Sequence, residues 1–416
     1  MTSTTPSSDD LAAEVLAFVG SAWDPDASLL EWRRRLFDAG WAVPVWPTEW
    51  GGRGLSASDA GLVADVLADV GVPGPPDSVG MLLAVPTILE HGGSRLKRRL
   101  LAPIATGEVV WCQLFSEPNA GSDLAGLTTR AELDGDEWVV TGQKVWTTGA
   151  AQADFGLLLA RSDWDVPKHR GLTYLVLPMR QHGVEVRPLR QMNGHASFNE
   201  VFLDGARVPA DNVLGVVGGG WSVALTTLAN ERRLAGGRHV IPRDPSCRVW
   251  REAVEERLVA AEPHKWYPQR YGRVDLLASR AHAAVRNRDP LVRDAVAAVQ
   301  AHAQAARLTA ERAAAARALG RQPGPEGSLG KLASSVIARA AAAAHASIAG
   351  ATGMLAAPDA PDGGVVAEIL VSVPAQSIAG GTDEIQRTIL AERILGLPKG
   401  PTADRALPFR DVPRNT

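Results

Sequence analysis

The hydrophobic period changes twice along this chain of 416 residues, and the change limits the folds open to it. In residues 9–111 apolar side chains such as Leu29 and Trp32 recur at helical spacing. From about residue 112 to 215 the pattern becomes short β-rich runs separated by Gly, Asp and Pro. Helical spacing returns after residue 218. This order predicts an α+β protein with a β domain between two helical domains.

Several details refine this prediction. Turn formers interrupt the first helical block at residues 43–52, and we expect a loop there. In the last block, an alanine-rich stretch over residues 294–350 allows close contact between helices, with Leu332, Val336 and Ile348 on one face. The β-rich runs of the middle block begin at Trp138, Leu157, Leu172 and Val184.

Composition narrows the function classes. An apolar content of 45% can fill two or three domain cores in a chain of this length. A formal net charge of −3, with Lys and Arg dispersed, argues against a nucleic-acid partner. Cys112 and Cys247 form neither a disulfide framework nor a metal-binding pattern, which favours a reducing compartment. The N-terminus resembles no signal or transit peptide, and no apolar run approaches the ~20 residues of a membrane span. We therefore expect a cytoplasmic protein with no membrane partner.

Three strings of residues occur in a fixed order along the chain. Residues 112–126 read CQLFSEPNAGSDLAG, residues 142–150 read GQKVWTTGA, and residues 377–399 read SIAGGTDEIQRTILAERILGLPK. Together they resemble the flavin and thioester loops and the closing helix of the acyl-CoA dehydrogenase family, with Asn119 where a glycine is more usual. The resemblance spans about residues 10–400.

The resemblance implies a domain plan. It places an N-terminal α-helical domain at residues 1–111 and a middle β-barrel or β-sandwich domain at residues 112–217. A C-terminal domain like a four-helix bundle follows at residues 218–400. Residues 401–416 lack periodicity and are expected to be a mobile tail.

The resemblance also implies FAD as the cofactor. The sequence has no GxGxxG fingerprint, so this expectation rests on the resemblance and not on a generic phosphate-binding motif. Taken singly, a Ser in a Gly-rich turn caps backbone groups and a Trp after a strand packs a core. Taken together in family order, the matching positions point to flavin and thioester binding. The residues so implied are Phe115, Ser116, Gly121, Ser122, Trp146, Thr148, Thr382 and Glu384 for the cofactor, and Ser122 and Arg232 for the substrate.

The catalytic base needs a separate argument. Many family members carry a glutamate where this chain has Gly380, so only the backbone N–H remains there, as a donor to the thioester oxygen. Glu231 ends a helical run otherwise free of charge. At helical spacing it lies over Thr227 and Ala224 and beside Leu228, and these apolar surroundings would desolvate its carboxylate and raise its pKa. The alternative is a solvated helix end with Glu231 paired to an arginine. Asp383 and Glu384 are weaker candidates, because they lie beyond the Gly-Thr pair. We predict Glu231 as the base.

Residues 238–271 depart from the family pattern. Prolines break the helix expected there, and the segment holds two tryptophans and two tyrosines. It either covers the acyl pocket or forms a peripheral lid or interface patch. The family element that reaches a neighbouring subunit's FAD is not recognisable after it. His195 lies in a polar loop and is expected to be structural.

The resemblance predicts an FAD-dependent acyl-CoA dehydrogenase that forms an α,β double bond in an acyl thioester and passes electrons to an electron-transfer flavoprotein. It favours a homo- or hetero-oligomer and a branched, aromatic or sterol-side-chain substrate. Two alternatives remain open: a non-catalytic subunit of a heteromeric dehydrogenase, and an oxygen-using flavoenzyme of the same superfamily.

Overall fold

The computed structural model describes residues 7–231, 240–319, 321, 324–356, 358–400 and 406–413. The chain divides into two compact units. The first contains residues 1–189, 197–263 and 404–416, and the second contains residues 190–196 and 264–403. These units do not follow the boundaries of the three predicted domains, because the first unit combines the N-terminal helices, the sheet and the two helices after it.

The N-terminal helices of the first unit begin at capping residues. Ser7 and Ser28 accept hydrogen bonds from the backbone three residues ahead, and Asp10 and Glu31 return the bonds as capping boxes. Trp32 is wholly buried between these helices, and its Nε1 donates to the Pro73 carbonyl at 2.7 Å. The helices are α1 (Ser8–Ala22), α2 (Leu29–Asp38), α3 (Ala57–Asp69), α4 (Val85–His91) and α5 (Ser94–Thr106).

The predicted break over residues 43–52 is a loop with one short 3-10 turn, Thr48–Trp50. Gly51 has φ of +88°, a conformation that side chains rarely adopt. A Cβ on Gly52 would lie 2.1 Å from the Trp46 carbonyl oxygen. The glycines therefore let the chain turn closely against Trp46, which is buried.

The sheet of the first unit has the strand order β6-β7-β3-β2-β4-β5-β8, and β1 pairs in parallel with β4. All four predicted β-rich runs lie in strands, whereas β1, β2, β7 and β8 were not predicted. A bulge interrupts the β3–β7 pairing between Lys144 and Thr147. The strands are β1 (Trp111–Leu114), β2 (Arg130–Asp134), β3 (Glu137–Thr148), β4 (Phe155–Arg161), β5 (Leu172–Pro178), β6 (Val184–Leu189), β7 (Phe198–Pro209) and β8 (Val213–Leu214).

Two helices complete the first unit, α6 (Gly220–Glu231) and α7 (Arg248–Ala261). The helix α7 lies in the aromatic segment that departs from the family pattern, and it packs on the N-terminal helices. Trp250 is buried there, and its Nε1 donates to the Gly71 carbonyl at 2.7 Å. Arg33 forms a two-point ion pair with Glu256 at 2.6 and 2.9 Å. This half of the segment is therefore part of the N-terminal core.

The expectation of a mobile C-terminal tail is wrong for residues 406–413. Phe409 is buried, and its N–H donates to the Val166 carbonyl at 2.9 Å. The lack of periodicity did not signal this contact, because the segment is held by one buried aromatic ring and by hydrogen bonds to residues distant in sequence. The other residues of the predicted tail lie outside the described residues.

The second unit is helical. Its longest pair, α10 and α11, packs through small side chains of α11, including the buried residues Ala341 and Ala344, against Val292 and Val299. Leu332 and Val336, predicted on the packed face, are only half-buried. The helices are α8 (Tyr267–Arg270), α9 (Leu277–Ala283), α10 (Pro290–Ala318), α11 (Glu326–Ala349), α12 (Val365–Ser372), α13 (Pro374–Ile378) and α14 (Asp383–Arg393).

Two stretches of this unit, residues 327–354 and 361–393, are long and apolar enough to cross a membrane by length and composition alone. From the sequence, no apolar run of this length was predicted. Core helices pass the same test, and α11 packs against α10 and α14 and buries Ser335 and His345. These contacts are those of a core helix.

Candidate functional site

The structure brings two of the predicted strings together in the first unit. The Val145 N–H donates to the Ser116 carbonyl at 2.9 Å. Lys144 Nζ donates to the Phe115 carbonyl and to Glu117 Oε1, each at 3.0 Å. The loop that carries Phe115 and Ser116 therefore lies directly against the end of β3.

The buried side chain of Glu117 holds this loop in place. Its carboxylate accepts from the backbone N–H groups of Thr128 and Thr129 at 2.7 and 2.8 Å, as well as from Lys144. Burial alone would raise the pKa of Glu117, but the Lys144 ammonium and the Thr128 and Thr129 donors outweigh it and lower the pKa to about 2. The Glu117–Lys144 pair is thus charged and structural, and it fixes the loop backbone.

Trp146 has an unusual conformation for a large residue. Its φ is +63°, at the bulge of β3, and its side chain is 56% exposed although the ring meets Phe198 edge-on at 5.7 Å. A bulky residue with positive φ is a strained feature of the kind that collects at functional sites. The bulge turns the indole face to the outside, where it could cover a ligand ring.

The neighbouring residues fit a flavin. Ser116 and Thr148 are half-buried, while Gly121 and Ser122 are exposed at the tip of the loop. Ser116 and Thr148 offer hydroxyl groups near the end of β3 that carries the exposed indole of Trp146, and a flavin ring needs donors and an aromatic wall of this kind. A flavin stacked here would bring ring hydride-transfer chemistry to the site.

A chain of buried hydroxyls links helix α6 to the flavin loop, residues 112–126. Thr227 shares hydrogen bonds of 2.9 Å with the hydroxyls of Thr87 and of Tyr174. The Tyr174 ring meets Phe115 edge-on at 5.7 Å. Burial and the negative charge of Glu231 raise the pKa of Tyr174, against the hydrogen bond to Thr227. The carboxylate of Glu231 is therefore electrostatically coupled to this hydroxyl chain.

Glu231 is the last residue of α6 and is partly buried. Next to it, Asn230 lines a groove of about 380 Å³ whose other walls are residues 45–47 and 81–89. Gly80–Ala84, beside this groove, forms a π-helical turn, a distortion that often marks functional sites. The half-buried Glu231 is thus the residue that follows the groove-lining Asn230 in α6.

The second unit holds the remaining predicted residues on one turn. Gly380 has φ of +66°, is exposed, and has open space where a Cβ would stand. Gln386 Nε2 donates to the Gly380 and Gly381 carbonyls at 3.0 and 3.2 Å. Thr382 caps α14 by accepting from the Ile385 N–H. The turn is therefore held by its carbonyls and by the helix cap.

The two acidic residues after this turn differ. Glu384 is exposed and lies 3.5 Å from Arg387. Asp383 is buried and paired with Lys331 at 3.3 Å and Arg339 at 2.5 Å. Burial opposes ionisation of Asp383, yet the donors of Arg339 and Lys331 lower its pKa to about 2. A carboxylate held in this way is a poor proton acceptor.

Sequence reasoning missed Lys144 and Tyr174 as residues of the site. A lysine and a glutamate in two strings bordered by apolar strands could have signalled the buried pair. Tyr174 carried no signal, because its role depends on strands meeting a helix. Arg232 lies outside the described residues. Within the described part of the chain, no group of three or more His, Cys, Asp or Glu side chains could hold a metal ion.

Comparisons with known proteins agree with this arrangement. Family models match the acyl-CoA dehydrogenase N-terminal domain at residues 7–108, the middle domain at residues 112–206 and the C-terminal domain at residues 273–395. The chain is 36% identical to acyl-CoA dehydrogenase IpdE1 of Mycobacterium tuberculosis, over 88% of each protein. It is 37% identical to acyl-CoA dehydrogenase FadE34 of the same organism over 90% of this chain, but it spans about half of that relative, 47%.

Solved structures show the same similarity. The Tcur3481-Tcur3483 steroid ACAD aligns with a TM-score of 0.64 and 26% identity, over 96% of this chain and all of that one. The ChsE4-ChsE5 complex from Mycobacterium tuberculosis aligns with a TM-score of 0.63, 26% identity and the same coverage. The chain belongs to the acyl-CoA dehydrogenase family of FAD-dependent oxidoreductases.

Proposed function

We propose that this chain is an acyl-CoA dehydrogenase in which Glu231 abstracts the α-proton of an acyl thioester. The observation that carries the proposal is the position of Glu231, half-buried at the end of α6 beside an apolar groove. Gly380 has no side chain to act as the base, and Asp383 is fixed in a buried ion-pair cluster. Glu384 is exposed to water, which leaves Glu231 as the proposed base.

In the proposed reaction Glu231 is the proton acceptor. The Glu231 carboxylate takes a proton from Cα, and the electron pair left behind forms the α,β double bond. Bound FAD would supply the acceptor for the β-hydrogen and its electron pair. The Gly380 N–H is proposed as a donor to the thioester oxygen, where negative charge develops. Arg232 and Ser122 are proposed to bind the substrate.

The chain's own residues would assist in two ways. The walls of the groove are mainly apolar, which suits the acyl chain of a substrate. The Thr87–Thr227–Tyr174 hydroxyl chain holds α6 against the strand and the flavin loop, so that the helix end keeps its place.

The decisive experiment is an anaerobic titration of the purified protein with a panel of acyl-CoAs, followed at the flavin absorbance. We expect bleaching in wild type and its loss, by at least about a thousandfold in rate, in Glu231→Gln. Glu132→Gln, which changes an exposed carboxylate on β2, is the matched control and should bleach normally. Equal bleaching by Glu231→Gln and wild type would sink the assignment of the base.

For the substrate, we propose a branched or ring-bearing acyl group. Support comes from the solved steroid ACAD with which the chain aligns. If straight-chain acyl-CoAs bleach the flavin as fast as steroid-side-chain acyl-CoAs in the same titration, this proposal fails.

We further propose an electron-transfer flavoprotein as oxidant and an oligomeric assembly. Exposed apolar side chains after α14 at Ile394, Leu395 and Leu397 favour a protein interface. A cytoplasmic location is proposed because Cys112 and Cys247 are free and buried.

Reoxidation of the reduced flavin by air within seconds would instead favour an oxygen-using flavoenzyme. Flavin that is bound only with a partner chain would favour a non-catalytic subunit. Sedimentation of the holoenzyme tests the oligomer.

A further inference from the structure

The C-terminal strap, residues 406–413, lies on the loop that follows β4. Phe409 and Arg410 donate their N–H groups to the carbonyls of Val166 and Trp164 at 2.9 and 3.1 Å. Pro408 forms an antiparallel bridge with Pro167. The Phe409 side chain is only 2% exposed. Backbone hydrogen bonds and one buried aromatic ring therefore fasten the strap to this loop.

The ring of Phe409 covers a buried cation. The Arg161 guanidinium carbon lies 3.4 Å from the ring centroid, and the residue is wholly buried. A desolvated guanidinium over an aromatic face gains from the ring's negative potential, more than it would at an exposed site. Removing the ring would thus open this cation to water and loosen its position.

Arg161 in turn holds the end of the flavin loop. Its Nη2 donates to the Ala125 carbonyl at 2.6 Å, and its Nε donates to the Leu127 carbonyl at 3.1 Å. The same region is tied by Lys168 Nζ, which lies 3.1 Å from both carboxylate oxygens of Asp123. The turn after Ser122 is therefore fixed from outside the sheet, while the Glu117–Lys144 pair fixes the start of the loop.

We propose that Phe409 is a positioning residue for FAD. Through Arg161 it keeps the loop with Gly121 and Ser122 in the conformation that binds the cofactor, so that FAD affinity depends on a segment near the C-terminus. The inference rests on the proposed assignment of this loop to the flavin.

The first test is the dissociation constant of FAD, measured by flavin fluorescence on the apoprotein. Phe409→Ala should raise it about tenfold, given the strength of a desolvated cation–π contact. Phe409→Leu keeps an apolar cover without the aromatic face and should raise it less; it also serves if the alanine variant fails to fold. Arg410→Ala, which removes an exposed ion pair with Asp165, is the control and should leave the constant unchanged.

The second test uses the wild-type chain and the reciprocity of linked equilibria. If the strap supports FAD binding, then FAD must slow amide hydrogen exchange in residues 409–412 as well as in residues 122–127. Exchange in the strap that ignores FAD, or an unchanged FAD constant in both Phe409 variants, overturns the proposal even if the melting temperature falls.

A third variant separates this inference from its premise. Trp146→Ala should weaken FAD binding if the flavin lies at the exposed indole. If Trp146→Ala has no effect, the flavin assignment itself fails. If Trp146→Ala weakens FAD binding but the Phe409 variants do not, only the role of the strap is refuted.

Discussion

A buried carboxylate lies at the base of a motif in each unit, and the two are solvated differently. Glu117 lies under the flavin loop with Lys144, which is wholly buried. Asp383 lies at the start of α14 with Arg339, whose side chain is 45% exposed, and with the less exposed Lys331. Both carboxyl groups have a pKa of about 2, although Lys144 is wholly buried and Arg339 is partly exposed to solvent.

This difference in solvent exposure separates the motif residues that hold the backbone from those that are exposed to a ligand. A cation without access to water cannot be replaced by solvent, so loss of one partner leaves an unpaired charge in the interior. A partner near the surface can recover water. The charged residues of both strings are thus anchors, while exposed neighbours such as Ser122 and Trp146 remain available to a cofactor.

The largest effect should follow from Lys144→Met, which leaves Glu117 charged and buried. We expect a loss of about 3–5 kcal/mol in the free energy of unfolding, measured by urea denaturation. Arg187→Met, which breaks the exposed pair with Glu185 on β6, is the control and should shift the urea midpoint little. Similar midpoints for the two variants would contradict the buried role of Lys144.

Acid should act on the same pair. The pKa of Glu117 is lowered from 4.5 to about 2 in the folded protein, so its stabilisation is complete above pH 4.5 and is lost as the pH falls towards 2. Between pH 5 and pH 3 the loss is about 2 kcal/mol. The double variant Glu117→Gln/Lys144→Met lacks this term. Its difference in unfolding free energy from wild type should therefore change by that amount, and a constant difference would refute the shift.

Asp383→Asn should cost less, about 1–3 kcal/mol, because Arg339 can regain water. Salt sharpens the contrast between the units. Raising the ionic strength should reduce the cost of Asp383→Asn but not that of Lys144→Met, since exposed charges are screened and buried ones are not. Equal salt dependence of the two costs would remove the distinction.

Ser122→Ala should have the smallest effect on stability, within about 0.5 kcal/mol, because the side chain is exposed. If this residue serves the cofactor, the same variant should still weaken FAD binding severalfold. Thermal unfolding of the apoprotein and FAD titration, performed together, check both halves. A variant that is destabilised without weaker FAD binding would place Ser122 among the anchors.

Much of the fold was predictable from local pattern. The switch between helical and β spacing predicted helices before and after a β region, and the three strings identified the family before any contact was known. Strands β1, β2, β7 and β8 were missed, because short or polar strands gain their order from neighbours on the sheet. The tail was misjudged for the same reason, since Phe409 is ordered by Arg161 and not by its sequence neighbours.

The amino-acid sequence alone identified the candidate site residues, among them Gly380, Glu231 and Trp146. Tertiary structure decided the contacts that local pattern could not reveal. It showed that Glu117 and Asp383 are buried anchors and that Trp146 faces outward at a bulge. It also linked Tyr174 with Thr227 across 53 positions of the chain. The physical reason is that burial, charge pairing and exposure depend on residues distant in sequence, and such contacts exist only once the chain has folded.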